Sequence, residues 1–197
     1  MITLGITGNI GSGKSSVLNI LKNIGIETYD LDNVAKDFYA TDDKIKEQVL
    51  ATFPSVLSDD NHIDTNKLGE LVFKNLDNLY ALQRIIWPEV KKFINNKIEK
   101  KSNIIAFEGA VIIEAEWHKL FDFIWLIESS YKLSKKRVEK QRNLSETSFE
   151  IILNNQLKID QVKNILNQDK INYSIINNNS DLDSLKKLIE KESKNFI

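Results

Sequence analysis

Gly8-Asn9-Ile10-Gly11-Ser12-Gly13-Lys14-Ser15 reads G-N-I-G-S-G-K-S, which satisfies the phosphate-loop pattern G-x-x-x-x-G-K-[ST] at every position. Its flanks suit the motif. Ile2-Thr3-Leu4-Gly5-Ile6-Thr7 is a short apolar run that predicts a buried strand. Behind the loop, Val17, Ile20, Leu21 and Ile24 fall at i, i+3, i+4 and i+7, one face of a helix, and Gly25 supplies its stop. Strand, glycine loop and helix together predict a nest of backbone N–H groups at the positive end of a helix dipole. Gly11, Ser12, Gly13, Lys14, Ser15 and Ser16 are the expected phosphate contacts. Lys14 adds a full charge for the β- and γ-phosphates, and the Ser15 hydroxyl is placed to complete the shell of a Mg²⁺ ion. The expected ligand is a nucleoside triphosphate.

Downstream, Ile26-Glu27-Thr28-Tyr29 predicts a second strand, closed by Asp30-Leu31-Asp32. Ligands of open α/β sheets sit at the carboxyl ends of the strands. One aspartate is thus expected to take a proton from an attacking hydroxyl and the other to support the water shell of the metal. Asp also favours helix N-caps. The pattern weighs toward a functional role for Asp32 and leaves Asp30 balanced between a role and a cap.

Residues 41–101 change character. Ile45, Val49, Leu50 and Phe53 mark one helix, and Leu68, Leu71 and Val72 a second. Leu79, Leu82, Ile85 and Ile86 mark a third, and Pro88 suits the first turn of a fourth. This all-helical insertion is a candidate acceptor-binding module. His62, in the polar turn Ser58–His62, is read as solvated.

The sheet is expected to resume at Ile104-Ile105-Ala106-Phe107, followed by Glu108, which occupies the place of a carboxylate reaching Mg²⁺ through water. Phe123–Ile127 and Tyr173–Ile176 predict the fourth and fifth strands. Between them Leu133–Arg142 is strongly basic. Most of these cations are read as a solvated helix face, with Arg137 and Arg142 as candidates for the phosphate charge, because Arg makes forked contacts with phosphate. A helical lid is expected at about 140–165, capped by Ser145 or Thr147. After the last strand, Asn177 is placed to meet adenine or to serve a plain turn, and Ser180 with Asp183 fits a cap for the final helix.

The 197 residues carry 27 basic and 28 acidic side chains and no cysteine. A net charge of −1 gives no general attraction to nucleic acid or to acidic membranes. The missing thiols exclude disulfides and thiolate metal sites. The apolar runs are too short to span a bilayer, and no secretion signal is read at the start. The expectation is a cytoplasmic protein acting on small molecules, as a monomer or weak homo-oligomer.

The combination T-G-N-I-G-S-G-K-S followed by Y-D-L-D-N-V-A-K resembles the dephospho-CoA kinase family. The resemblance continues through Trp87-Pro88, G-A-V-I-I-E-A-E-W at Gly109–Trp117, Arg137, Gln156 and Ile175-Ile176-Asn177. Lys36 stands where the family usually has Arg, Trp87 where His often precedes the Pro, and Ile112-Ile113 where P-L-L is usual. The resemblance implies a P-loop NTPase α/β fold, with a parallel five-stranded sheet in a core of residues 1–40 and 102–197. It implies ATP-dependent phosphorylation of the ribose 3′-hydroxyl of dephospho-CoA, with Asp32 as the catalytic base. Acceptor binding would fall to the insertion at about 41–101. Alternatives of the same architecture are a nucleoside or nucleoside monophosphate kinase. A nucleotide-dependent switch is disfavoured, because Asn66-Lys67-Leu68-Gly69 lacks the Asp of a base-specifying N-K-x-D segment.

Overall fold

The computed structural model describes residues 2–100, 103–142, 144–194 and 196, with the backbone alone at Gln141 and Arg142. The chain divides into two compact units, Met1–Asp30 with Lys97–Ile197, and Leu31–Asn96. The boundaries fall at 30/31 and 96/97, so the helix after the second strand belongs with the insertion.

In the first unit, β1 (Ile2–Thr7) leads through the glycine loop into α1 (Lys14–Asn23). Then come β2 (Glu27–Asp30), and, after the second unit, β3 (Ile104–Glu108) and β4 (Phe123–Glu128). The strands order as β2-β3-β1-β4 with a fifth beyond, all parallel. β1 is central and buried from Thr3 to Thr7, as expected of a parallel strand covered on both faces. Leu4 and Ile6 pack with Val17 and Leu21 of α1.

Three helices and the last strand follow β4: α6 (Tyr131–Arg142), α7 (Glu146–Asn154), α8 (Ile159–Gln168) and β5 (Asn172–Asn177). The numbers α2 to α5 belong to the second unit. Ser145, not Thr147, caps α7, its Oγ accepting the Ser148 N–H. The final helix, α9 (Leu182–Ser193), is capped by Asp181, whose carboxylate accepts from Ser184 N–H. The cap thus lies one residue beyond the expected Ser180. Leu185 and Ile189 seal α9 onto the core.

In the second unit α2 (Leu31–Thr41) begins directly after β2, followed by α3 (Asp43–Thr52), α4 (Thr65–Lys74) and α5 (Leu76–Glu99). The expected third and fourth helices are one, and Pro88 lies inside it. Proline removes the N–H that the Arg84 carbonyl would accept. The buried stripe Ile86, Val90 and Ile94 runs at i, i+4 and i+8 through the proline, and its burial offsets that lost bond. The turn around Ser58–His62 is closed by a single antiparallel bridge, Leu57 with Ile63, and His62 stands exposed on it. Among the described residues no helix is long and apolar enough to cross a membrane.

Candidate phosphoryl-transfer site

The glycine loop sits at the carboxyl edge of the sheet. Gly13 takes φ 98° immediately before α1, a left-handed conformation that suits glycine. Ser16 and Val17 N–H groups return to the Gly13 carbonyl. The amides before them are the orphan donors of a helix start, which an anion satisfies. Lys14 is 8% exposed. Its ammonium lies 3.4 Å from the Asn9 carbonyl and 3.9 Å from Glu108 Oε1. Ser15 Oγ donates to Glu108 Oε2 at 3.3 Å. Lys14, Ser15 and Glu108 are therefore brought together. A buried carboxylate needs such partners to stay charged. Among the described residues no group of three or more His, Cys, Asp or Glu is arranged to hold a metal ion. A hydroxyl beside one carboxylate is a hard oxygen set of the kind that suits Mg²⁺ shared with substrate phosphates.

The expected solvated basic face on α6 is only part of that helix. Ser134, Arg137 and Val138 fall at i, i+3 and i+4, and all three meet the loop. A Cβ on Gly11, where φ is 75°, would stand 2.4 Å from the Ser134 carbonyl oxygen. Val138 packs with Ile10 and Phe149 in a buried cluster. The Arg137 guanidinium donates to Ser129 Oγ at 3.0 Å, to the Asn178 carbonyl at 3.1 Å and to Asn178 Oδ1 at 3.2 Å, with a longer reach of 3.5 Å to the Ser12 carbonyl. Burial pulls its pKa below the usual arginine value. Arg137 thus fastens the loop to its neighbours and also lines the cavity beside it. Arg142 closes α6, and its side chain lies outside the described residues.

Asn177, read as meeting adenine or serving a plain turn, is the exposed last residue of β5 and does not line the cavity. Its neighbour Asn178 is 3% exposed and does. Asn178 Nδ2 donates to the Ser12 carbonyl at 2.8 Å, and its N–H to the Glu128 carbonyl at 2.8 Å. Strand alternation explains the difference. Ile176 is buried, so the residue two further on keeps the inward face. That alternation was the available signal. The cavity, about 360 Å³, runs from Gly13, Lys14 and Ser15 to Asn178, Asp181 and Leu185.

Two further residues have no composition cue. Gln156, in the turn between α7 and α8, accepts the Ile10 N–H on Oε1 at 2.8 Å. Glu114, in the turns after β3, accepts the Leu157 N–H at 3.3 Å. Burial raises the Glu114 pKa, opposed first by backbone hydrogen bonds, that from the Leu157 N–H among them, and last by the charge of Lys14. Their only sequence signal was their place within the family resemblance.

The two aspartates part company. Asp30 ends β2 in register with Glu108 of β3. Asp32 lies in the first turn of α2, within the second unit, where a carboxylate favours the helix dipole. The second strand therefore ends at Asp30, not in both carboxylates. Seven residues on, along the same helix face, the Tyr39 phenol is pushed up to about 12, chiefly by burial and then by the charge of Asp32.

Comparisons with known proteins agree with this geometry. A sequence model of the dephospho-CoA kinase family matches residues 2–184. The dephospho-CoA kinase of Fusobacterium nucleatum is 32% identical over 195 residues, covering 97% of this chain and 96% of that protein. That of Aquifex aeolicus is 28% identical, with 97% and 95% covered. In solved structures the fold recurs in a Thermus thermophilus protein, with TM-score 0.80 at 23% identity and coverage of 100% and 98%. It recurs again in the dephospho-CoA kinase of Campylobacter jejuni, with TM-score 0.62 at 20% identity and coverage of 98% and 96%. A phosphate loop with its lysine, serine and buried glutamate gathered at one sheet edge, in a chain matched over nearly its whole length, belongs to the dephospho-CoA kinase family.

Proposed function

We propose that this protein transfers the γ-phosphoryl group of ATP to the ribose 3′-hydroxyl of dephospho-CoA, giving CoA and ADP. The observation that carries the reading is the family match across residues 2–184, in a chain whose loop gathers Lys14, Ser15 and Glu108. The hydroxyl oxygen forms a bond to the γ-phosphorus as the bond from that phosphorus to the β,γ-bridging oxygen breaks, and ADP leaves. The hydroxyl proton passes to the Asp32 carboxylate, the proposed base. Gly11 to Ser16 cradle the phosphates through backbone N–H groups, and Lys14 offsets the charge that spreads over the β- and γ-oxygens. Ser15, with Glu108 acting through water, would hold Mg²⁺, which when bound supplies charge neutralisation between the phosphates. Arg137 keeps the loop in place and faces the same cavity. The helical unit Leu31–Asn96 is the proposed acceptor module, and the working compartment is the cytoplasm.

The test is ADP release from Mg·ATP with dephospho-CoA, adenosine, uridine or a nucleoside monophosphate as acceptor. Turnover with dephospho-CoA alone is expected; a preference for a nucleoside overturns the reading. Asp32→Asn should keep ATP binding and lose about 10²- to 10⁴-fold in kcat, the range of a general base. A near wild-type rate in that variant, with loss in Asp30→Asn instead, moves the base to Asp30.

A further inference from the structure

The Asn9–Ile10 peptide unit is held from both sides. Its N–H donates to Gln156 Oε1 at 2.8 Å. Its carbonyl accepts the Ser12 N–H at 3.1 Å, closing the first turn of the loop, and lies 3.4 Å from the Lys14 ammonium. A trans peptide is planar, with N–H and C=O pointing in opposite directions. Whatever fixes the N–H therefore aims the carbonyl. Here the acceptor behind the loop is Gln156, and the group in front is the cation that meets the phosphates.

We infer that Gln156 is a positioning residue for the phosphate site, acting through this one peptide plane on Lys14 and on the turn that starts the nest. Gln156 is well placed to hold still. The Gln156 N–H bonds to the Leu153 carbonyl, and the Asn155 N–H to the carbonyls of Ile151 and Ile152, so the turn continues the end of α7. The next residue is tied to Glu114 through the Leu157 N–H. The Ile10 side chain is 5% exposed and is wedged against Val138 and Phe149. The Ile10 side chain is thus gripped by α6 and α7, and its N–H by the turn that follows α7. Without the glutamine acceptor the Asn9–Ile10 plane loses its hold on the N–H side, and only the contacts of its carbonyl and of the Ile10 side chain resist its rotation about the flanking bonds. The carbonyl then no longer points at Lys14, and the first turn opens.

The inference rests on the kinase reading only for ATP as the ligand, and its test needs no acceptor. Wild type, Gln156→Ala and Gln156→Glu are titrated with Mg·ATP by calorimetry and with adenosine by NMR. Gln156→Ala should lose about tenfold in ATP affinity, the size of one hydrogen bond that orders a charged site. Its adenosine affinity should stay unchanged, since adenosine brings no phosphate to the loop. Gln156→Glu keeps an acceptor oxygen and should recover most of the ATP affinity. A merely structural glutamine predicts equal losses for both ligands. Equal losses, or ATP affinity in Gln156→Ala within about twofold of wild type, overturn the inference. If Gln156→Ala does not fold, Gln156→Met, which keeps the chain length without an acceptor, carries the same comparison. ATP binding that responds as expected in a protein inactive on dephospho-CoA overturns the acceptor assignment and leaves this inference standing.

Discussion

The phosphate loop has two faces, and they are made differently. The inner face, toward the cavity, is Gly13, Lys14 and Ser15 with Glu108 behind them. Apart from Glu108 it is contiguous in the chain. The outer face is gripped by residues far along the chain: Ser134, Arg137 and Val138 of α6, Gln156 of the α7–α8 turn, and Asn178 after β5. The inner face is chemistry that any triphosphate requires, so its residues recur as a motif. The outer face is packing, and packing is solved by whatever helices a given fold brings to the loop. The motif carries the proposed phosphate-binding groups, while the loop that bears them is held by neighbours more than a hundred residues away.

The largest effect should come from breaking the inner face. Lys14→Ala removes the proposed phosphate-binding cation and leaves Glu108 buried beside Ser15 without its ammonium. Turnover should fall by about 10²- to 10³-fold, with circular dichroism unchanged. An enzyme that keeps most of its rate would mean that the cation meeting the phosphates is another, with Arg137 the first to test.

The next effect sits where the two faces touch. Gly11→Ala places a methyl group 2.4 Å from the backbone oxygen of Ser134 at φ 75°. Backbone cannot swing aside as a flexible side chain does, so both the left-handed conformation and the clash are felt. Together they should cost about 2–3 kcal/mol, a drop in Tm on the order of 5–10 °C for a chain of this size. Thermal melts of the ligand-free protein measure it. A Tm unchanged by Gly11→Ala would show that α6 does not press on the loop and would dissolve the distinction between the faces.

Much of this architecture was legible beforehand, for identifiable reasons. The inner strands β3 and β4 were readable as short buried apolar runs, and the edge strands β2 and β5 only by their place between helices, since neither is a buried apolar run. The inner face was readable because G-N-I-G-S-G-K-S is local. The errors came where a rule of local preference met tertiary packing. Pro88 normally opens a helix, but the stripe through Ile86, Val90 and Ile94 carries α5 across it. Asn177 and Asn178 are chemically identical, and only the alternation inherited from Ile176 separates them. Arg137 stands out from the five cations for its forked guanidinium, but its grip on the loop needed the helix face. Spacing alone would have grouped it with Ser134 and Val138. Asp30 and Asp32 were not separable from their pattern, because the register of Asp30 with Glu108 and the start of α2 at Leu31 are facts of the sheet.

The smallest effect probes the outer face through a proton. Glu114 is desolvated, which raises its pKa above the ordinary glutamate value, while Lys14 and the Leu157 N–H pull the other way without cancelling the rise. A carboxyl whose folded pKa exceeds its unfolded one binds its proton more tightly in the folded state. That contribution to stability is fully present below the ordinary glutamate pKa and is lost as pH rises through the raised value. Glu114→Gln keeps Oε1 as acceptor for the Leu157 N–H but cannot titrate. Tm of wild type minus Tm of Glu114→Gln should therefore be greatest in acid and shrink toward neutral pH, where the wild-type carboxylate sits charged in its desolvated place. A difference flat across that window would mean water reaches Glu114. A difference that grows with pH would mean that the hydrogen bonds to Glu114 and the charge of Lys14 together outweigh its burial.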